Sequence, residues 1–337
     1  MTFRTLLKTI SRRESLPDRA GYLNLLEETI TVLEHEDPTI RPTDASGLSG
    51  CLVRLKKNIP TILVPDLHGR VGFFMDVLFA QYTPETIVLD ALASDSVQIL
   101  CLGDGFHAEA RGKKRWDTAF DEYTHSYKKH QAMDEEMHES LTLMELIMRC
   151  KCEFSDNFHF LKGNHENIMN EEGGGNHRFR KFSLEGEMVR EYVSQFYGEE
   201  FLFTYSIFEK RLPLFAVGAN FLASHAEPKR HYSEDELINA RMNPDVIYGL
   251  TWTNNDEADH NSVQKMLDQY LSSPDTGVYF GGHRPVPDRY LFRAGNRYVQ
   301  IHNPDGEYTV LITPDRPFNP VTDSVAPGEG GYSAHTS

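Results

Sequence analysis

Thr61-Ile62-Leu63-Val64-Pro65-Asp66-Leu67-His68-Gly69 sets four strand-forming residues, then a proline that stops them, then two side chains able to bind a metal or move a proton. A short apolar run closed by a breaker reads as a buried strand. The same arrangement recurs along the chain. Residues 97–102 lead into Asp104, 158–161 into Asn164 and His165, 214–224 into His225, and 278–280 into His283. Two further runs, 298–301 and 309–312, complete a series of strands separated by helical or loop segments, which predicts an α/β architecture. Polar side chains held at strand ends converge in space although far apart in sequence, which is how α/β enzymes assemble sites.

The composition excludes several classes. With 34 Lys and Arg against 50 Asp and Glu, the 337-residue chain carries a formal charge of −16, which opposes binding to a nucleic-acid backbone. An anionic substrate would need locally placed positive charge. The four cysteines, Cys51, Cys101, Cys150 and Cys152, form no CxxC pair, and a reducing compartment without a disulfide framework is expected. The basic N-terminus never reaches the apolar stretch of a signal peptide, and no run of about 18 apolar residues could span a bilayer. A cytoplasmic protein that does not bind membranes is expected.

Leu23, Leu25, Leu26, Ile30, Val32 and Leu33 recur at helical spacing, so residues 1–57 read as a helical extension packed on the main body. The charged stretch 110–136 reads as an inserted, solvated hairpin or loop, with a functional lid as the alternative. Met133, Met137, Leu141, Met144 and Met148 then follow at helical spacing and predict core packing. Residues 314–337 hold proline, glycine, serine and threonine with few large apolar groups, and a disordered tail is expected.

Hard divalent ions take carboxylate and imidazole ligands, and phosphate-ester hydrolysis is helped most by two ions about 3.5–4 Å apart that share a bridging carboxylate. Asp66, His68, Asp104, Asn164, His225 and His283 fit that requirement. Asp66 and His68 can face one ion while Leu67 turns away. Asp104 is suited to bridge because Gly103 removes bulk beside it, Asn164 offers a carbonyl oxygen, and the two later histidines offer ring nitrogens.

The series PDLHG (65–69), GDGFH (103–107), GNHE (163–166), SHAE (224–227) and GGHRP (281–285) resembles the calcineurin-like metallophosphoesterases. More narrowly, it is similar to their serine/threonine protein phosphatase branch, over about residues 59–312. The resemblance implies a β-sandwich flanked by helices in one domain, residues 58–313. It implies that Asp66, His68 and Asp104 hold one ion and that Asp104, Asn164, His225 and His283 hold the other. His165 would be the acid that protonates the leaving group. Mn, Fe and Zn all accept such a ligand set, and the resemblance favours Mn. The substrate implied is a phosphorylated protein or a small phosphoester, hydrolysed as a monoester. The alternatives are a nucleotide or dinucleotide polyphosphate hydrolase and a non-catalytic relative that binds phosphoproteins. Oligomeric state is left open.

Two features of that branch are missing. Its bridging aspartate is followed by Val-Asp-Arg-Gly, in which the aspartate orients the acid and the arginine grips phosphate. Here those positions are His107 and Ala108. A second phosphate-binding arginine has no counterpart. Arg111 and Arg284 are the candidate replacements, each with a structural salt bridge as the alternative. His107 could hydrogen-bond His165, helped by Glu109, or face solvent. Glu166 reads as the partner of a nearby arginine, and the role of His302 stays open.

Overall fold

Ile62 and Val64 turn to one side of their strand and Leu63 to the other, and all three are fully buried. A strand buried on both faces must lie inside a layered structure. The computed structural model, which describes residues 1–332, shows those layers. One sheet runs in the order β1 (Leu52–Arg54), β7 (Phe215–Val217), β8 (Phe221–Ser224), β9 (Val278–Gly281), β11 (Tyr298–Gln300) and β10 (Leu291–Arg293). The other runs β13 (Ser324–Val325), β12 (Thr309–Ile312), β2 (Thr61–Val64), β5 (Gln98–Cys101) and β6 (Phe158–Phe160). A small ribbon joins β3 (Gln81–Thr83) to β4 (Thr86–Ile87). Leu63, Leu100, Ala223, Phe280, Val299 and Val310 fill the space between the two large sheets.

Ile62, Val64, Ile99 and Leu311 face outward from the second sheet into a helical layer. That layer holds α1 (Phe3–Ser11), α2 (Arg19–Glu34), α3 (Val71–Phe79), α4 (Val88–Ala93), α5 (Lys113–Thr124), α6 (Gln131–Glu153), α7 (Glu185–Phe196) and α8 (Glu199–Arg211). Helix α2 starts where the Asp18 carboxylate accepts the Gly21 N–H at 2.8 Å, and it buries Leu25, Leu26 and Leu33. The methionine stripe of α6 is fully buried, as its spacing predicts. The first sheet is covered by Pro244–Thr251 and Ser262–Tyr270. The molecule is therefore a β-sandwich flanked by helices, the expected class. Among the described residues no helix is long and apolar enough to cross a membrane, and all four cysteines are unpaired.

Three expectations are corrected. Residues 1–57 are packed on the main body but are not wholly helical: β1 pairs with β7 at the sheet edge. Glu36 also bonds Arg41 and Lys151, the latter on α6, with all three side chains at 5% exposure or less. The stretch 110–136 is a helical hairpin, but its inner face is packed rather than solvated. Trp116 is fully buried and donates from Nε1 to Ala108 O at 2.8 Å, and buried Glu136 accepts the Ala108 N–H at 2.7 Å. Finally, the tail is ordered as far as it is described. Val325 pairs with Thr309, and buried Tyr332 shares a 2.8 Å hydrogen bond with Thr309 Oγ1. An unpaired β12 edge offers backbone groups that outweigh the composition of the segment. Residues 333–337 lie outside the described residues.

Burial alone would raise the Glu36 carboxyl, but Lys151 and Arg41 beside it hold it at about 2, below its ordinary 4.5. Removing the carboxylate strands two buried cations. Glu36→Gln should lower unfolding free energy by about 3–5 kcal/mol in urea titrations at pH 7. Because the folded value is depressed, that contribution is present above pH 4.5 and disappears as pH falls through about 2. A loss under about 1 kcal/mol would contradict the ledger of charges.

Candidate metal centre

Six strand ends meet at one edge of the sandwich. β2 delivers Asp66 and His68, β5 Asp104, β6 Asn164 and His165, β8 His225, β9 His283, and β11 His302. The first five are the ends that the sequence singles out; the sixth settles where His302 lies. His68, Asp104, His107 and His283 have φ of 44°, 51°, 65° and 61°, a region that side-chain-bearing residues avoid. Such strain costs on the order of 1–3 kcal/mol per residue and concentrates at functional sites.

Close approach of the loops depends on glycine at two points. A Cβ on Gly103 would lie 2.6 Å from the Gly163 nitrogen, so Gly103 serves loop-to-loop contact rather than clearing room for an ion. A Cβ on Gly282 would collide with the Asp66 carboxylate. Glu166 then fastens the loops together. Its carboxylate accepts the N–H groups of Asp104 at 2.9 Å, Gly105 at 2.8 Å and Gly163 at 2.6 Å. Its partners are backbone amides and not the arginine that the sequence suggests.

The hydrogen bonds fix where the lone pairs point. His68 Nδ1 lies 2.9 Å from His107 O, and His225 Nδ1 lies 2.9 Å from Leu102 O. A carbonyl only accepts, so each ring carries its hydrogen on Nδ1 and turns a bare Nε2 inward. His68 Nε2 is 3.7 Å from Asp104 Oδ2, and His225 Nε2 is 3.3 Å from the same atom. Asn164 Oδ1 is 2.8 Å from both His225 Nε2 and His283 Nδ1. Asp66 Oδ2 accepts the His283 N–H at 2.9 Å, while Asp66 Oδ1 and His283 Nε2 are buried with no hydrogen-bond partner. Acceptors facing one another in a dry site repel unless a cation lies between them. Three groups place ligand atoms within 4.8 Å of one another: Asp66, His68 and His302; His68, Asp104 and His165; and Asp66, Asp104 and His225. These buried groups can bind metal.

Electrostatics agree with that reading. Burial, then Asp104 and Glu109 nearby, push Asp66 well above the carboxylate range, and burial pushes Asp104 up to about 8. Burial takes His68 down to about 3 and His225 to about 4, and pushes His165 and His283 well below 6.5, so all four rings are neutral. Neutral imidazoles and carboxylates that lack a countercharge are what a divalent ion requires.

His165 Nδ1 is 3.0 Å from His107 Nδ1, and its Nε2 is 3.8 Å from Asp104 Oδ2. His107 is thus buried against His165 rather than facing solvent. Phe179 lies over both rings, at centroid distances of 3.9 Å from His165 and 4.9 Å from His107. Glu109 does not reach that pair. Its Oε2 is 2.9 Å from His302 Nε2, and its Oε1 is 3.3 Å from Lys181 Nζ. Arg111 is committed to Glu139 at 2.6 Å and to His68 O at 2.9 Å. Arg284 is half-buried beside His283 and, among the described residues, has no ion-pair partner. Lys181 and Phe179 escape notice in the sequence because no strand end announces them, and Glu109 is noticed there but with His107 rather than His302 as its partner. A cavity of about 300 Å³ lined by His68, Glu109, Arg111 and Asp305 opens the site to solvent.

No family model matches the chain, and no curated protein matches it by sequence. Among solved structures it is similar to a protein serine/threonine phosphatase from Saccharomyces cerevisiae with similarity to human phosphatase PP5. The identity is 13% over 85% of this chain and 77% of that one, with a TM-score of 0.53. It also matches a cold-active protein-tyrosine phosphatase of a psychrophilic Shewanella species, 12% identical over 77% of this chain and 76% of that one, with a TM-score of 0.44. The yeast likeness shows a phosphatase-type α/β fold.

With Asp104 raised to about 8, the metal-free site holds a proton on its carboxylates at pH 7. Metal loading at pH 7 should therefore release protons from Asp66 and Asp104, and affinity should climb as pH rises through about 8. Calorimetry in buffers of different ionisation enthalpy measures this, and binding without proton release would contradict it.

Proposed function

We propose that this chain is a metal-dependent phosphatase that hydrolyses phosphate monoesters, with phosphoserine or phosphothreonine in a protein as the leading substrate. One observation carries the reading: carboxylate, amide and imidazole lone pairs from separate strand ends converge around Asp104 Oδ2 in a buried space. The serine/threonine substrate is supported by the motif resemblance and rests on analogy.

In this reading Asp66, His68 and Asp104 hold one divalent ion, and Asp104, Asn164, His225 and His283 hold a second, with Mn, Fe or Zn as occupants. Such ions supply Lewis acidity at the phosphoryl oxygens and activate a water as nucleophile. The chain's own side chains do the rest. Asp104 Oδ1 accepts the His165 N–H at 2.9 Å and so fixes the acid's backbone. When His107 accepts at Nδ1, His165 donates from Nδ1 and, in its protonated form, carries a second hydrogen on Nε2, the nitrogen that faces Asp104 and the reacting centre. That second proton goes to the leaving alkoxide and leaves the His165 ring neutral. Phe179 keeps water from the two rings. Arg284, which has no ion-pair partner among the described residues, is the cation available to draw a phosphate into an otherwise acidic protein, while Lys181 is already paired with Glu109. Arg111 is the weaker candidate because Glu139 already neutralises it.

His165→Ala should lower kcat on a phosphoserine peptide by roughly 10²–10⁴-fold. On p-nitrophenyl phosphate the loss should be much smaller, because that leaving group needs little protonation. Asp104→Asn should abolish both activities. Steady-state kinetics of the metal-reconstituted protein on phosphopeptides, aryl phosphate and dinucleotide polyphosphates tests the whole reading. Hydrolysis confined to the polyphosphates would overturn the substrate, and no hydrolysis of any would overturn the phosphatase.

A further inference from the structure

His302 stands two residues beyond the end of β11 and is fully buried. Its Nε2 lies 2.9 Å from Glu109 Oε2. An ionised carboxylate only accepts, so Nε2 carries the hydrogen and the neutral ring has its lone pair on Nδ1. That Nδ1 is buried with no hydrogen-bond partner. It points into the cluster, 3.9 Å from Asp66 Oδ2, and the His302 and His68 rings stand 5.4 Å apart between centroids. A second hydrogen on Nδ1 would not resolve the vacancy of partners, because 3.9 Å is too long for a hydrogen bond to Asp66. A cation bound jointly by Asp66, His68 and His302 satisfies all three at once.

We propose that His302 Nδ1 is a fourth protein ligand for the ion held by Asp66, His68 and Asp104. Glu109 orients the ring by accepting its Nε2 hydrogen, and Lys181, 3.3 Å away, holds Glu109 in place. Carboxylate–histidine–metal arrangements fix the tautomer and raise the basicity of the ligating nitrogen. Two imidazoles with two carboxylates suit Zn, Fe or Mn and disfavour Mg or Ca, which prefer oxygen throughout. The assignment rests on the dimetal reading above and deepens it.

The test is calorimetric titration of the chelator-stripped full chain with Zn²⁺ and Mn²⁺, with the bound ions counted by native mass spectrometry. Wild type should take two ions. His302→Ala should keep one at wild-type affinity and bind the other more than about 100-fold more weakly, and Glu109→Gln, which leaves the imidazole in place, should weaken that same ion by roughly 10–100-fold. Near-UV circular dichroism checks the fold of each variant, and Glu109→Gln carries the test if His302→Ala does not fold. Two ions at wild-type affinity in folded His302→Ala or, failing that variant, in Glu109→Gln would overturn the His302 assignment while leaving the dimetal reading intact. A wild-type chain that binds no ion pair would overturn the dimetal reading itself.

Discussion

Two carboxylates, Asp66 and Asp104, are buried at 0% and 1% exposure among neutral rings whose lone pairs are aimed at them. Ionised carboxylates in a dry space cost several kcal/mol each unless a countercharge is supplied. Arg70 does not supply it, because its guanidinium is spent on the carbonyls of Asp66, Leu67 and Gly306, and Lys162 and Lys181 offset the burial of Asp104 only in part. The site thus has ligand geometry with incomplete internal neutralisation. A divalent cation is the simplest group that completes it, and the backbone at the strand ends is built to keep the ligands facing one another.

That backbone is held against its own preferences. Left-handed conformations at His68, Asp104, His107 and His283 persist because neighbouring structure over-determines them. Glu166 ties together the loops after β5 and β6 through three amides, and the Glu136 carboxylate with Trp116 braces the segment that presents His107 and Glu109. The charged hairpin is therefore part of the site's support. Its outward charges face solvent while its inward aromatic and carboxylate groups satisfy backbone that would otherwise be orphaned.

Much of this is legible in the sequence because strands followed by a breaker and a polar side chain advertise themselves. The α/β sandwich and the meeting of Asp66, His68, Asp104, Asn164, His165, His225 and His283 follow from that pattern. Residues whose place depends on tertiary packing are not legible. Lys181 and Phe179 lie on an irregular loop with no periodicity. Glu109 sits close in sequence to His107 yet turns to His302, a choice made by the fold. The ordering of residues 320–332 comes from the bare edge of β12, which composition cannot reveal. His302 carries a strand-end signal like the other histidines, but only the unpartnered Nδ1 gives it a direction.

In the proposed reading, the departures from the phosphatase pattern share one theme: charge is missing around the proposed acid, His165, and around the phosphate it would serve. A neutral His107 stands against His165 in place of a carboxylate, and Ala108 stands where a guanidinium would be. A site with fewer fixed charges near the substrate relies more heavily on its ions to bind and polarise phosphate. The most direct measurement is anomalous X-ray scattering from crystals loaded with Mn²⁺ or Zn²⁺. Two peaks about 3.5–4 Å apart, flanking Asp104, are predicted. A centre without peaks, in crystals whose ligand side chains are well ordered, would contradict the metal chemistry on which the function rests.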